Sequence, residues 1–278
     1  MKCSRYLLSA VIPLSFLAPL STGGIPKSSK QSETIAFGSG SALVTTLTYA
    51  SVPQDKPTYQ PTGSEADVFG TVRFDGEAPE PRRIDMGQDP ACQDINPEAM
   101  TQDLLVNDGG LANVFVYVKD GEVLNQYKFD MPEGAVTLRH TGCQFSPRVL
   151  GLFVNQPLSI ANDDPTTHNT HPTPTRNGEW NFSTPAAAEP ITKTFARPEV
   201  LIPVKCNQHP WEKAYVAVLT HPFFSVTDER GAFSIRGLAP GTYKLTAWHE
   251  KLGEQTVTIT ARERGSVNQD FTYTAKPD

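Results

Sequence analysis

Cys206-Asn-Gln-His209 puts a thiol and an imidazole three residues apart, just after an apolar stretch that ends at Val204. A short loop at that point can turn both side chains toward one ion. Well upstream, Asp164-Pro-Thr-Thr-His168-Asn169 follows a second apolar stretch, Leu158 to Ala161. One cysteine and two histidines form the trigonal donor set that suits copper, soft enough for Cu(I) and nitrogenous enough for Cu(II). In a regular strand His171 would point away from a metal held by His168, because residues three apart face opposite sides. Pro172 and Pro174 nevertheless allow the segment to turn. Asp163 and Asp164 are read as shaping their loop, and Pro210 and Trp211 as shielding the ion. His140, His221 and His249 are scattered without ligand spacing. The second metal centre that copper oxidases need is therefore not expected, and the chain reads as a non-enzyme.

The elements that must position these residues are short strands. Among 278 residues there are 24 prolines and 20 glycines, and no stretch of twelve or more shows a helical period. Val68 to Phe74, Leu111 to Val118, Val149 to Val154, Leu158 to Ala161, Val200 to Val204 and Tyr215 to Leu219 are expected as strands. Further strands follow at Ala232 to Ile235, Thr242 to Trp248, Gln255 to Thr260 and Val267 to Tyr273. The expected class is all-β, and strands at this spacing favour sandwiches over a parallel sheet. A net charge of -6 leaves no broad basic face, so nucleic acid is not expected as a partner.

Lys2 and Arg5 precede an apolar run from Tyr6 to Leu20, and the small residues Ser21 and Gly23 follow. This is the pattern of a secretory signal peptide cleaved after Gly23. The run is too short for a lasting membrane span and carries Pro13 and Pro19. The mature chain is expected to be periplasmic or secreted, with no span after cleavage. Cys3 leaves with the leader, and Cys92, Cys143 and Cys206 remain in an oxidising compartment, where one pair closes and one thiol is left over. With Cys206 as the ligand, Cys92 by default pairs with Cys143.

The run Cys143-Gln-Phe-Ser-Pro147, an apolar strand, then His168-Asn169 and finally Cys206-x-x-His209 resembles cupredoxins of the plastocyanin and amicyanin kind, over roughly Val136 to Leu219. The resemblance implies a Greek-key sandwich holding one copper ion. His168 would be the upstream histidine, Cys206 the thiolate and His209 the downstream histidine, with Asn169 bracing the ligand loops. The weak fourth ligand of that family is usually methionine. At the amicyanin-like spacing this chain has Glu212, and at the plastocyanin-like spacing Ala214. Either Glu212 is the axial ligand, or copper has three ligands and Glu212 faces solvent beside Lys213.

Val226 to Ile235 followed by Leu238-Ala-Pro-Gly241-Thr-Tyr243-Lys-Leu245 is similar to carboxypeptidase regulatory-like, transthyretin-type sandwich modules. The opening strands of such a module are found far upstream, at Gly70-Thr-Val72 and Val114-Phe-Val116-Tyr-Val118. The expected layout is a signal peptide at 1–23, a disordered linker at 24–65, the first part of a transthyretin-like sandwich at 66–122, a cupredoxin-like domain at 125–220 and the second part of the sandwich at 221–275. Two consecutive sandwiches are the alternative. The function expected is one-electron transfer to an unknown redox partner. Copper sequestration or delivery, or a metal-free scaffold, are the rivals.

Overall fold

Strands dominate residues 56–275, the part of the chain that the computed structural model describes. The expected signal peptide and most of the expected linker lie outside these residues. Four strands come first: β1 (Ala66–Asp75), β2 (Val106–Asn107), β3 (Gly110–Leu111) and β4 (Phe115–Gly121). Nine follow: β5 (Val136–Thr141), β6 (Gln144–Ser146), β7 (Val149–Phe153), β8 (Leu158–Asn162), β9 (His168–Pro172), β10 (Phe182–Thr184), β11 (Ile191–Lys193), β12 (Glu199–Lys205) and β13 (Lys213–Leu219). The last six are β14 (Phe224–Val226), β15 (Ala232–Leu238), β16 (Gly241–His249), β17 (Gly253–Ala261), β18 (Ser266–Asn268) and β19 (Phe271–Thr274). Two short helices interrupt them, α1 (Pro90–Ile95) between β1 and β2 and α2 (Glu122–Gln126) between β4 and β5. No helix among the described residues is long and apolar enough to cross a membrane.

The first and last groups interleave. β1 pairs antiparallel with β15 and parallel with both β18 and β19, while β4 lies between β14 and β16. Val72, Val116, Phe233 and Tyr243 share one core. The sequence reason is period-two alternation: Phe233, Ile235, Tyr243 and Leu245 all point inward. The turn entering β15 uses Asp228, whose Oδ1 accepts the Arg230 and Ala232 amides at 2.9 Å. Gly231 there has φ 76°, and a Cβ on it would lie 2.2 Å from the Val72 carbonyl.

The middle group forms a second sandwich. One sheet runs β10-β9-β12-β13-β7 and the other β11-β8-β5-β6. Leu138, Leu152, Ile160, Val204 and Val216 fill the space between them. The two sandwiches meet on an apolar face, where the stacked Phe115 and Phe224 of the first cluster with Val149 and Leu219 of the second, and Tyr215 of the second meets Trp248 of the first edge-on. Beside it the Arg148 guanidinium forms a bidentate pair with Glu250, 9% and 6% exposed. Arg148→Ala should destabilise the fold by about 3–5 kcal/mol, because it strands a buried carboxylate. Arg148→Met with Glu250→Leu should recover most of that loss in denaturant melts.

Three differences from the sequence expectations have local causes. Lys56–Glu65, assigned to the linker, is ordered: Tyr59 packs edge-on against Tyr127, and its amide donates to the Lys128 carbonyl at 2.7 Å. The expected strand from Leu111 starts only at Phe115, since Asn113 sits in the left-handed region at φ 60°. The strand expected over Val267 to Tyr273 breaks at Gln269 and Asp270, where the Asp270 carboxylate caps the Thr71 amide at 2.8 Å.

The stretch between β1 and β2 folds over the middle sandwich. Met86, Cys92, Ala99 and Cys143 cluster there against Trp211. Cys92 and Cys143 form a disulfide with Cα atoms 5.6 Å apart. Closing a loop of 51 residues, it contributes about 4 kcal/mol on the chain-entropy account.

Candidate metal centre

β12 and β13 pair as a hairpin through Lys205 and Lys213, so Cys206 and Glu212 face each other where its loop begins and ends. The loop closes on itself: the Glu212 amide donates to the His209 carbonyl at 2.9 Å. Asn169 on β9 braces it, its Oδ1 accepting the Asn207 and Gln208 amides at 2.8 and 3.3 Å. The Asn169 amide also points at Cys206 Sγ, 3.5 Å away. These contacts aim the thiol and His209 toward His168, the neighbour of Asn169.

His168, Cys206, His209 and Glu212 are 0, 2, 3 and 1% exposed. One donor atom from each lies within 4.8 Å of every other. His168 Nδ1 is 2.8 Å from His209 Nδ1 and 2.6 Å from Glu212 Oε1; Cys206 Sγ is 3.6 Å from His209 Nδ1. Glu212 does not face solvent. Its Oε1 has no well-directed hydrogen bond despite being buried, and neither does His168 Nε2. Two imidazole nitrogens, a thiol and an unsatisfied carboxylate oxygen thus converge on one small space. A proton shared between two of them leaves the rest unserved, whereas one cation serves all four. The donor set fits a metal ion.

The outer nitrogens of both rings meet carboxylates. His209 Nε2 lies 3.0 Å from Asp89 Oδ2, and His168 Nε2 lies 3.0 Å from Asp164 Oδ2, although off the line a hydrogen bond needs. Asp164 also accepts the Gly142 and Cys143 amides, so it shapes its loop as well as touching the ring. Burial by itself would lower the imidazolium range of His168, but Asp164, Cys206 and Glu212 outweigh it and raise the group to about 11. Burial is likewise overcome at His209, which Cys206, Glu212 and Asp89 raise to about 10. The Cys206 thiol would rise on burial, but contacts from His168 and His209 bring it down to about 7. The Glu212 carboxyl would also rise on burial; the His140 hydrogen bond and the nearby His168 and His209 rings hold it well below the usual range.

His171 lies outside the cluster and contacts Asn207 and Glu179 at the surface. Trp211 covers His209, with ring centroids 5.2 Å apart, and donates to the Cys143 carbonyl. Asp89 and His140 were missed as neighbours of the centre. Asp89 stands 120 residues from His209, and His140 stands 72 from Glu212, so no local spacing marks them.

Residues 205–274 match the carboxypeptidase regulatory-like domain family. The carboxypeptidase regulatory-like match begins in the hairpin that carries Cys206, but its strands from β14 onward form one body with β1 and β4, which precede the middle sandwich. A search of curated proteins returns no match. Among solved structures, a copper-containing nitrite reductase from Thermus scotoductus SA-01 is 24% identical over 32% of this chain and 23% of its own, with a TM-score of 0.27. A purple cupredoxin from Nitrosopumilus maritimus is 21% identical over 30% of this chain and 98% of its own, with a TM-score of 0.25. The reduced state of an amicyanin mutant is 16% identical over 37% and 97%, with a TM-score of 0.28. This chain spans about a quarter of the nitrite reductase, and likenesses at such scores carry no weight beside the side chains themselves.

Proposed function

We propose that this chain is an exported mononuclear copper protein that carries single electrons. The observation that supports it is the buried convergence of His168 Nδ1, His209 Nδ1, Cys206 Sγ and Glu212 Oε1. These four residues would hold the ion, and copper bound there supplies one-electron chemistry between Cu(II) and Cu(I). Asn169 holds the thiol-bearing loop in place, and Asp89 and Asp164 orient the rings from behind. Four side-chain donors leave no open position of the kind a catalytic metal keeps for substrate, which favours a carrier over an enzyme. Burial of every donor beneath Asp89, the Cys92–Cys143 bridge and Trp211 favours a resident ion over one to be delivered. The disulfide suits an oxidising compartment, in keeping with the leader expected from the sequence. The redox partner is a protein of unidentified kind.

Addition of Cu(II) to metal-free protein tests this. One equivalent should produce an intense thiolate-to-copper charge-transfer band that bleaches and returns over a reversible one-electron cycle. Tight Cu(I) binding without the band would support sequestration instead, and no binding at all would leave a scaffold.

A pH dependence follows from the site. Asp164, Glu212 and Asp89 hold the imidazolium range of the two rings well above neutral pH, but their Nδ1 atoms are 2.8 Å apart, so only one of them carries a proton in the metal-free site. That proton must leave for a metal to bind, so apparent affinity rises with pH. Between pH 8 and 9 the logarithm of the Zn(II) or Co(II) affinity should climb by about one per pH unit, from one displaced imidazole proton. Competition titrations whose slope falls from about three quarters at pH 8 to about one quarter at pH 9, as an ordinary thiol with neutral histidines gives, would show that the carboxylates do not hold this proton.

A further inference from the structure

We infer that His140 is a positioning residue that makes Glu212 a ligand and thereby biases the site toward the divalent ion. The inference rests on the metal reading above.

His140 lies fully buried on β5, and each face and edge of its ring is occupied. Its Nδ1 is 2.7 Å from Glu212 Oε2. A carboxylate only accepts, so Nδ1 carries the proton and donates. Its Nε2 is 2.9 Å from Oγ1 of Thr170, a β9 residue two beyond His168. One face stacks on the His168 ring, centroids 4.5 Å apart and planes 9° from parallel, and Phe145 lies 4.5 Å away at a tilt of 41°. The backbone is pinned too, since His140 pairs with Phe145 on β6 and with Asn162 on β8.

A glutamate side chain has three torsions, and this one hangs among three imidazoles, those of His140, His168 and His209. The His140 bond takes Oε2 and so fixes the carboxylate plane. That leaves Oε1 turned 2.6 Å from His168 Nδ1 and 3.3 Å from His209 Nδ1, with no hydrogen bond of its own. One oxygen is committed to His140 and the other is presented to the ion. Charge then sets the preference. A thiolate and a carboxylate neutralise a divalent cation, but with a monovalent ion they leave one negative charge buried, which is costly. Fixing Glu212 in contact therefore stabilises Cu(II) more than Cu(I), and His140 acts on that balance only through Glu212. A histidine that merely filled the core would affect stability and leave the balance alone.

The test uses full-length protein loaded with copper: wild type, His140→Leu, His140→Gln and Thr170→Val, the first two repeated in a Glu212→Gln background. Cu(II) and Cu(I) affinities are measured by competition, together with the absorption spectrum and the reduction potential. His140→Leu should weaken Cu(II) by about 10–100-fold, the usual cost of losing an outer partner of a ligand. Cu(I) should change far less, so the potential rises by about 60–120 mV. His140→Gln keeps a donor and should recover most of the loss. Thr170→Val should shift the potential the same way by less, and it supplies the measurement if His140→Leu does not fold. In the Glu212→Gln background, replacing His140 should add nothing to the potential. An unchanged Cu(II)/Cu(I) preference in His140→Leu and Thr170→Val would overturn the inference, as would an equal shift with and without Glu212. A wild type that binds no copper would overturn the metal reading together with it, whereas a loaded wild type with indifferent variants overturns this inference alone.

Discussion

Cys206→Ser should yield a folded protein with no thiolate-to-copper band and with copper affinity down by at least about 100-fold, beyond what loss of an outer partner costs. Cys206 is the free cysteine of the described residues, buried, with its sulfur 3.5 Å from the Asn169 amide and 3.6 Å from His209 Nδ1. A serine hydroxyl can keep the contact with Asn169, so the stability loss should stay near about 1–2 kcal/mol. It cannot become an anion near neutral pH, as a thiol held at about 7 can. Absorption spectra of both proteins at one equivalent of copper, with melts of the metal-free forms, check the result. A Ser variant that kept the band would remove Cys206 from the site. Mass mapping of unreduced protein should find it alkylated after unfolding, and Cys206 bridged to another cysteine would sink the assignment.

Residues 222–278 expressed alone should show no cooperative melt and should aggregate. The carboxypeptidase regulatory-like match at 205–274 is contiguous and invites the opposite expectation. The structure supplies the reason against it. β1 is the shared partner of β15, β18 and β19, and β4 fills the place between β14 and β16. Without them each sheet loses an inner strand, and Phe233, Tyr243, Leu245 and Phe271 lose the apolar neighbours Val72 and Val116. Unpaired edges and a halved core are together beyond what about fifty residues can offset. A soluble fragment with a sharp thermal transition, followed by circular dichroism, would show that the C-terminal strands form a domain of their own.

Local chemistry was legible in the sequence where neighbours in the chain are also neighbours in space. Alternation at Phe233, Ile235, Tyr243 and Leu245 marks inward-facing strand positions because a strand's side chains have period two. Cys206, His209 and Glu212 could be nominated together because one hairpin loop carries them, and its length limits how far apart they can be. The all-β class follows from many turn residues and the lack of a helical period. Only the tertiary structure decided the rest. Whether Glu212 faced solvent or the cluster depended on His140, whose approach is set by β5 pairing with β6 and β8. Asp89 reaches His209 because the stretch after β1 crosses to the other sandwich and is tied there by Cys92 and Cys143. Such contacts join residues 72 and 120 positions apart. They leave no periodic trace, since burial and charge pairing depend on what lies across space rather than on what comes next along the chain.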